Sequence, residues 1–264
     1  MTDEPPPRGV RVPAAALVSY TEAVSMRPSP DRSIGPGSTD LLLPQAIQAV
    51  SVDELLLAAQ AEPGRSEMFD LVLARRRSVR EYGALAAADL VRVLDQVFKL
   101  QGFAEADDGA VRRFRPIPSA GARHPIIPLV LIGNAAGLEP GLWRLDTDGR
   151  RLLLVETDSP ALDAAWSKLV DAGQFEKRPP AVVVLGARFD ATLSRYPSGA
   201  ALVWRDAGVA LGSLHLAATA AGLRSCILGT AGILDADLLR VCGLFGSLVG
   251  DVGSLAVGGP ATAS

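Results

Sequence analysis

Hydrophobic positions in the first part of the chain recur mainly at helical spacing. Residues 51–60 begin with Ser51 and Glu54 at the spacing of a capping box, which predicts a helix there. Apolar residues at helical intervals predict two further helices, over 66–78 and 85–100. Arginines gather at the end of the first of these two, where cations suit the C-terminal end of a helix dipole. We therefore expect that helix to end close to the last residue of its range.

The apolar pattern changes period in the second half of the chain. A continuous apolar run at 128–134 predicts a buried strand, and two strand-like runs within 141–156 flank an Asp-Gly pair, which predicts a hairpin. A further strand is expected within 179–190, after a helix over 161–173. Because a hairpin is mixed with separated strands, the pattern favours an α+β fold over a strictly alternating parallel sheet.

Residues 199–222 form a long, mostly apolar segment, which predicts a helix that is largely buried. Its small residues would let another helix approach closely; they are Ala207, Gly208, Ala210, Gly212 and Ser213. An ordinary core helix satisfies this pattern, and so does a helix that packs against its own copy in a dimer.

A stretch rich in proline, glycine and serine at 27–38 is typical of an irregular connection. We therefore predict an N-terminal extension over residues 1–65, with one helix, followed by a main domain over residues 66–264. A chain of 264 residues is long enough for one large domain of this kind.

Composition narrows the classes of function. The net charge of −3 argues against broad, nonspecific nucleic-acid binding, which needs a cationic surface. No apolar run approaches the roughly 20 residues that cross a bilayer, and the first residues lack the order of a signal peptide. We therefore expect a cytoplasmic protein without a membrane partner. Cys226, Cys242, His124 and His215 are the only cysteines and histidines, so neither a disulfide framework nor a zinc site is indicated.

Arg75, Arg76, Arg77 and Arg80 form a cluster of cations around Ser78. Planar guanidinium groups can make bidentate hydrogen bonds to phosphate, and the serine adds a hydroxyl donor, so the cluster has the composition of an anion receptor. A solvated cationic helix end is the alternative interpretation. The nucleotide-binding signatures GxGxxG and GxxxxGK[ST] do not follow a predicted strand, so nucleotide binding of those two kinds is not indicated.

The segment ARRRSVREY resembles the opening motif of the nitroreductase-like flavoproteins. The segment PSAGARHP, followed by an apolar strand and GLEPGLWRLD, is similar to the sequence that marks the SagB-type branch, the azoline oxidases of peptide natural-product pathways. The resemblance continues to the C-terminal LAVGGP and covers nearly all of the chain. It implies a nitroreductase-like α+β fold with a mainly antiparallel central sheet flanked by helices. It also implies a homodimer with a helical interface, where FMN is bound.

The resemblance assigns cofactor-binding positions in three groups. The first group would hold the phosphate and ribityl chain, the second would approach the flavin from the other subunit, and the third would lie near the ring edge. In that order, the groups are Arg76, Arg77, Ser78 and Arg80; Ser119, Ala120 and Gly121; and Leu228 and Gly229. Taken without the resemblance, the second group also fits an ordinary turn, and the third fits a plain strand end.

Two departures from the family pattern concern binding and catalysis. Gly258 and Gly259 stand where members commonly place a basic residue that grips the phosphate. Arg195 and Tyr196 stand where azoline oxidases carry a Lys-Tyr pair that is thought to handle the proton removed during oxidation. Arginine stays protonated at cellular pH, so Arg195 cannot be a base, but it could lower the pKa of Tyr196. These two residues are the catalytic candidates, with Tyr196 as the base; the alternative is that Tyr196 caps a loop.

Three further positions bear on the surroundings of the flavin. Asp206 and Val209 occupy the family's acidic and histidine positions in the long helix. His124 follows the PSAGA segment, where a catalytic histidine and a structural one held by backbone hydrogen bonds are both consistent with the sequence.

Three functions follow from these observations. The first is FMN-dependent oxidation of a thiazoline or oxazoline to the azole, with a modified ribosomal peptide as substrate and a cyclodehydratase as a candidate partner. The second is an NAD(P)H-dependent flavin reductase or nitroreductase-like enzyme. The third is a flavin-free family member that acts as a peptide- or partner-binding subunit. The resemblance favours the first.

Overall fold

A computed structural model describes the chain over residues 43–58, 68–105, 111–229, 231–245 and 248–261. The predicted connection at 27–38 and the predicted domain boundary at 65 lie outside these ranges.

Most of the strands build one large sheet. In chain order, the strands are β1 (Gln48–Ser51), β2 (Leu85–Ala86), β3 (Gly102–Glu105), β4 (Val111–Phe114), β5 (Ile126–Ile132), β6 (Ala135–Ala136), β7 (Gly141–Asp146), β8 (Arg151–Glu156), β9 (Ala181–Arg188), β10 (Arg224–Leu228) and β11 (Val249–Gly258). The large sheet has the order β1-β8-β7-β5-β9-β11-β10, and all its neighbouring strands are antiparallel. The remaining strands form two small pairs, β2 with β6 and β3 with β4.

Helices cover both faces of the large sheet. In chain order, they are α1 (Val52–Ala58), α2 (Phe69–Arg75), α3 (Ala87–Phe98), α4 (Pro160–Gly173), α5 (Phe189–Leu193), α6 (Ala200–Ala220) and α7 (Ala236–Val241). One core cluster joins the sheet to α3 and α6, and a second core cluster joins its other face to α4 and α7. This arrangement confirms the predicted α+β fold with a mainly antiparallel sheet flanked by helices.

The central strands are apolar on both faces because both faces are covered. In β5, Leu129 and Leu131 belong to the core cluster of α4, whereas Val130 and Ile132 belong to the cluster of α3 and α6. Alternation of apolar and polar residues is expected only where one face of a sheet meets water. The continuous apolar run in the sequence therefore marks a strand in the middle of the sheet.

Several local predictions can be compared directly with the structure. The hairpin within 141–156 is confirmed as β7 and β8, and the Ser51 cap is confirmed by a hydrogen bond from the Glu54 N–H to the Ser51 Oγ (3.4 Å). The helix expected to end near Ser78 instead ends at Arg75. The Arg77 side chain donates to carbonyls at that helix end, and the chain continues in an extended course.

Part of the predicted N-terminal extension joins the large sheet. β1 pairs with β8 along the sheet edge, and α1 packs beside α3. The boundary at residue 65 stays a prediction, because residues 59–67 are not described. Within the described ranges, no helix is both long enough and apolar enough to cross a membrane.

Candidate active site

The arginine cluster lies at the start of an extended segment that follows α2. The Val79 N–H donates to the Ser225 carbonyl in β10 (3.0 Å), and Ser78 forms a bridge with Ser225. Farther along, the Gly83 N–H donates to the Gly259 carbonyl just after β11 (2.9 Å). Both ends of the segment are therefore fixed to the edge of the large sheet.

The arginine side chains of this cluster have different surroundings. Arg77 turns back on α2 and donates from Nη1 to the carbonyls of Ala74 (2.9 Å) and Arg76 (2.8 Å). Arg80 donates from Nε to the Gly173 carbonyl at the end of α4 (3.1 Å). Arg76 is half-buried, and its guanidinium makes no hydrogen bond to any other described residue. Arg75, in turn, donates from Nη2 to the Thr219 carbonyl (3.4 Å). Among the described residues, Arg76 is therefore the arginine of this cluster whose whole guanidinium is open to a ligand, whereas Arg80 keeps only its two Nη groups open.

Ser78 adds further open donors beside Arg76. It is exposed, and neither its hydroxyl nor its N–H is hydrogen-bonded to another residue of the described ranges. Its bridge partner Ser225 is only 2% exposed, and the Ser225 Oγ has no hydrogen-bond partner among the described residues. A buried polar atom without a partner is costly, so the Ser225 hydroxyl would favour a ligand or water that can form a hydrogen bond with it.

His215 on α6 contacts the backbone of the arginine segment. Its Nε2 lies 3.2 Å from the Arg77 carbonyl, and the residue is 2% exposed. Burial lowers the pKa of His215, the hydrogen bond to Arg77 opposes this shift, and the Arg76 cation adds to it. The buried imidazole is therefore held in its neutral form.

The predicted second group forms a turn fixed by the other half of α6. The Ser119 hydroxyl donates to the Asp206 Oδ2 (2.6 Å), and the Ala120 N–H donates to the same oxygen (3.2 Å). The His124 N–H in turn donates to the Ser119 Oγ (2.9 Å). The Ser119 hydroxyl is thus occupied by hydrogen bonds within the protein. A ligand at this turn would therefore contact mainly its backbone.

Gly121 brings this turn against the catalytic candidate Tyr196. Gly121 has a φ of 60°, and a Cβ built on it would lie 2.9 Å from the Tyr196 hydroxyl oxygen. A larger residue would therefore meet both an unfavourable backbone conformation and the phenol. Tyr196 is half-buried, whereas the neighbouring Arg195 is exposed and forms no side-chain hydrogen bond or ion pair within the described ranges.

His124 has the surroundings of a structural histidine. Its Nε2 lies 2.8 Å from the Arg113 carbonyl, which can only accept, so Nε2 carries the proton. Burial and the nearby Arg115 cation lower the pKa of His124 to about 4. The neutral ring therefore links the turn to β4 at physiological pH.

The third predicted group lies at the end of β10. Leu228 is buried in the core, whereas Gly229 is exposed and a Cβ added to it would meet no atom of the described residues within 4 Å. Gly229 follows Ser225 by four residues, roughly 13 Å along an extended strand. The bridge partner of Ser78 and the exposed Gly229 therefore lie toward opposite ends of β10.

The turn and the arginine segment contact α6 at separate points. Asp206 and His215 are nine residues apart, roughly 13 Å along the helix axis. No hydrogen bond or ion pair joins the Ser119–Gly121 turn to the Arg76–Arg80 segment in the described part of the chain.

Gly258 and Gly259 are tightly packed. A Cβ on Gly258 would lie 2.6 Å from the Tyr82 Cβ, and one on Gly259 would collide with the Ala84 carbonyl. The close approach of residues 82–84 thus leaves no room for a basic side chain at either position.

Sequence reasoning did not assign a role to His215 or Ser225. Their partners in the arginine segment are far away in sequence, so no local motif marks them. The one usable signal was a lone histidine within the apolar segment of α6.

No protein-family model matches the chain. A protein of Methanocaldococcus jannaschii, provisionally named a nitroreductase, is 27% identical over 161 residues, which cover 60% of this chain and 76% of that protein. A solved structure from Ralstonia eutropha, also provisionally named a nitroreductase, aligns with a TM-score of 0.57 at 19% identity and covers 84% of this chain and 96% of its own. A chain of the E. coli microcin synthetase complex McbBCD, solved with truncated pro-MccB17 bound, aligns with a TM-score of 0.53 at 21% identity. The alignment covers 84% of this chain and 89% of the microcin synthetase chain.

These similarities define the class of fold. The chain has the nitroreductase-like fold, as the resemblance in its sequence implied. The similarity in sequence to the M. jannaschii protein supports the same family.

Proposed function

We propose that the protein is an FMN-dependent oxidoreductase that dehydrogenates azoline rings in a modified ribosomal peptide to azoles. The observation that carries this proposal is the placement of the Tyr196 hydroxyl against Gly121, the glycine of the turn that the resemblance assigns to the flavin. The nitroreductase-like fold and the fold shared with a chain of a peptide-bound microcin synthetase support the reaction class and the peptide substrate.

The phosphate of FMN would be held at the start of the extended segment. The Arg76 guanidinium, the Ser78 N–H and the Ser78 hydroxyl are donors without a partner in the described part of the chain, and a phosphate accepts such hydrogen bonds well. Arg77 and Arg80 would add positive charge. The space beside Leu228 and Gly229 would receive the ring edge.

A second copy of the chain would complete the site. The exposed Gly208 and the half-buried Gly212 lie on α6 with no atom within 4 Å of an added Cβ, so the backbone there is open to close approach. A partner helix packed on this face would form the proposed homodimer and bring a second Ser119–Gly121 turn to the cofactor.

The chain's own contribution to the chemistry is orientation and proton removal. When bound, FMN would supply the hydride acceptor, with oxygen as the oxidant that completes the balance. The Tyr196 side chain would be the base that takes the ring α-proton, so that the azoline would lose one proton and one hydride. Arg195, which precedes Tyr196 in the chain, would add positive charge near the phenol. The turn around Gly121 holds the phenol in place.

A conversion assay tests this function. Purified protein reconstituted with FMN would be incubated with a peptide that contains a thiazoline, and the loss of two hydrogens would be followed by mass spectrometry. Conversion by the wild type and its near absence in Tyr196→Phe, with FMN still bound, are expected. No conversion by flavin-loaded wild type, with or without a cyclodehydratase, would contradict the proposal.

A nitroreductase-like reductase that uses NAD(P)H is the second candidate. The exposed Arg195, which has no side-chain partner in the described part of the chain, favours it, because the Lys-Tyr pair of the azoline oxidases is altered. Rapid bleaching of bound flavin by NADPH without oxygen would support this candidate, and an unchanged flavin spectrum would exclude it.

A flavin-free subunit that binds a peptide or a cyclodehydratase is the third candidate. The packing of Gly258 and Gly259 favours it, since no basic side chain fits there to grip a phosphate. A colourless protein that cannot be reconstituted with FMN, yet co-purifies with a cyclodehydratase, would support this role.

A further inference from the structure

His215 is a buried polar residue on a mostly apolar helix. It lies in α6, is 2% exposed, and contacts a carbonyl 138 residues away in the chain. Burying an imidazole among apolar groups is unfavourable unless the ring is hydrogen-bonded. The bond joins α6 to the segment that carries Arg76 and Ser78.

We propose that His215 is a positioning residue for the phosphate end of the cofactor site, acting through the Arg77–Ser78 peptide. This inference rests on the proposed function, because it takes the phosphate of FMN as the ligand. His215 itself does not touch the phosphate.

The direction of this hydrogen bond follows from its acceptor. A backbone carbonyl can only accept, so the His215 Nε2 carries the proton and donates it to Arg77. Burial and the Arg76 cation lower the pKa of His215, which keeps the ring neutral. The ring therefore supplies a donor to the segment without adding a positive charge.

The geometry of the peptide bond connects this contact to the ligand. The described chain contains no cis peptide, and in a trans peptide the C=O and the following N–H point in opposite directions. With the Arg77 carbonyl held toward His215, the Ser78 N–H must point away from α6. That N–H has no partner in the described ranges and lies beside the open donors of the Ser78 hydroxyl and Arg76. His215 thus helps to orient the Ser78 N–H away from α6.

β10 restrains the same segment through the hydrogen bond between Val79 and Ser225, so loss of His215 should loosen the donors without unfolding the segment. Loss of one neutral hydrogen bond corresponds to about a threefold to tenfold weaker phosphate contact. The weakening should affect a ligand with a phosphate and spare one that lacks it.

The experiment compares the affinities of FMN and riboflavin by flavin-fluorescence titration of the full chain freed of flavin. His215→Gln keeps a donor at the same distance from the backbone, whereas His215→Leu removes the donor and His215→Asn is too short to reach. Thr219→Val is the matched control, because the one bond of the Thr219 hydroxyl in the described part of the chain stays within α6, to the His215 carbonyl (2.8 Å). Thermal unfolding identifies any variant that fails to fold, and Leu and Asn substitute for each other in that case.

We expect wild type, His215→Gln and Thr219→Val to bind FMN alike, and the Leu and Asn variants to bind it about threefold to tenfold more weakly. Riboflavin affinity should not change in any of them. Equal FMN affinity in all folded variants would overturn the inference, and so would an equal loss for riboflavin, which would indicate a merely structural role. Failure of His215→Gln to restore FMN affinity would also overturn it. Absence of FMN binding by the wild type would contradict the proposed function, and the inference with it.

Discussion

Replacing Arg76 with glutamine should weaken FMN binding much more than the same replacement at Arg77. The two residues are adjacent and carry the same charge, but their side chains have different surroundings. Arg76 is half-buried with donors open to a ligand, whereas Arg77 bonds to carbonyls at the end of its own helix. The pair therefore separates a specific phosphate contact from a general effect of positive charge.

The magnitude follows from the lost contact. A hydrogen bond to a charged group contributes about 1.5–3 kcal/mol, which corresponds to roughly a 10- to 150-fold weaker affinity for Arg76→Gln. Arg77→Gln should change the affinity by less than about threefold, because only distant charge is removed from a screened surface. It should instead reduce the free energy of unfolding by about 0.5–1 kcal/mol, since two helix-end carbonyls lose their donor.

Calorimetric titration of FMN and urea unfolding of each variant measure both quantities. Arg76→Lys is a useful third variant, because it keeps the charge but not the bidentate geometry, and it should bind with intermediate affinity. Equal losses of FMN affinity for Arg76→Gln and Arg77→Gln would refute the assignment, as would an unchanged affinity for Arg76→Gln in protein that binds FMN.

Three further outcomes are expected. The pKa of His124 is about 4 in the folded chain, below its value in the unfolded chain. The contribution of His124 to the free energy of unfolding is therefore fully present above about pH 6.5 and is lost as the pH falls toward 4. At pH 5 the free energy of unfolding should be about 2 kcal/mol lower than at pH 7. Urea unfolding measures this difference, which should be smaller in His124→Asn, and a free energy of unfolding that does not change with pH would contradict the prediction. Asp206→Ala should reduce the free energy of unfolding by about 2–3 kcal/mol, because two donors of the neighbouring turn lose their acceptor. Asp206→Asn should reduce it by less, and equal reductions in the two variants would argue against these hydrogen bonds. Gly259→Ala should reduce the free energy of unfolding by about 1–3 kcal/mol, because the new Cβ collides with a backbone carbonyl. Gly229→Ala places its Cβ in open space and should leave the free energy of unfolding unchanged. Equal thermal stability of the two variants would contradict the packing at Gly259.

The sequence predicted best those features that depend on neighbouring residues. The hairpin within 141–156 follows from a turn dipeptide between two apolar runs, and the Ser51 cap follows from a local spacing. Strand β1 was not predicted, because four residues on a sheet edge carry too short a pattern. The end of α2 was placed too late, because the fold-back of Arg77 is a side-chain choice that periodicity does not record.

The candidate site was partly visible in the sequence. The anion-receptor chemistry of the arginine cluster follows from residue types alone, but the different surroundings of Arg76 and Arg77 do not. The contact of Gly121 with Tyr196 joins positions 75 residues apart, and the contact of His215 with Arg77 joins positions 138 apart. Such pairs are defined by the packing of α6 against the sheet, which no short motif encodes.

The most direct test of the account is the visible absorbance spectrum of the gently purified protein, with the heat-released cofactor identified by mass. If the protein is an FMN-dependent oxidoreductase, it should be yellow and release FMN. A colourless protein that cannot be reconstituted with FMN would contradict the account.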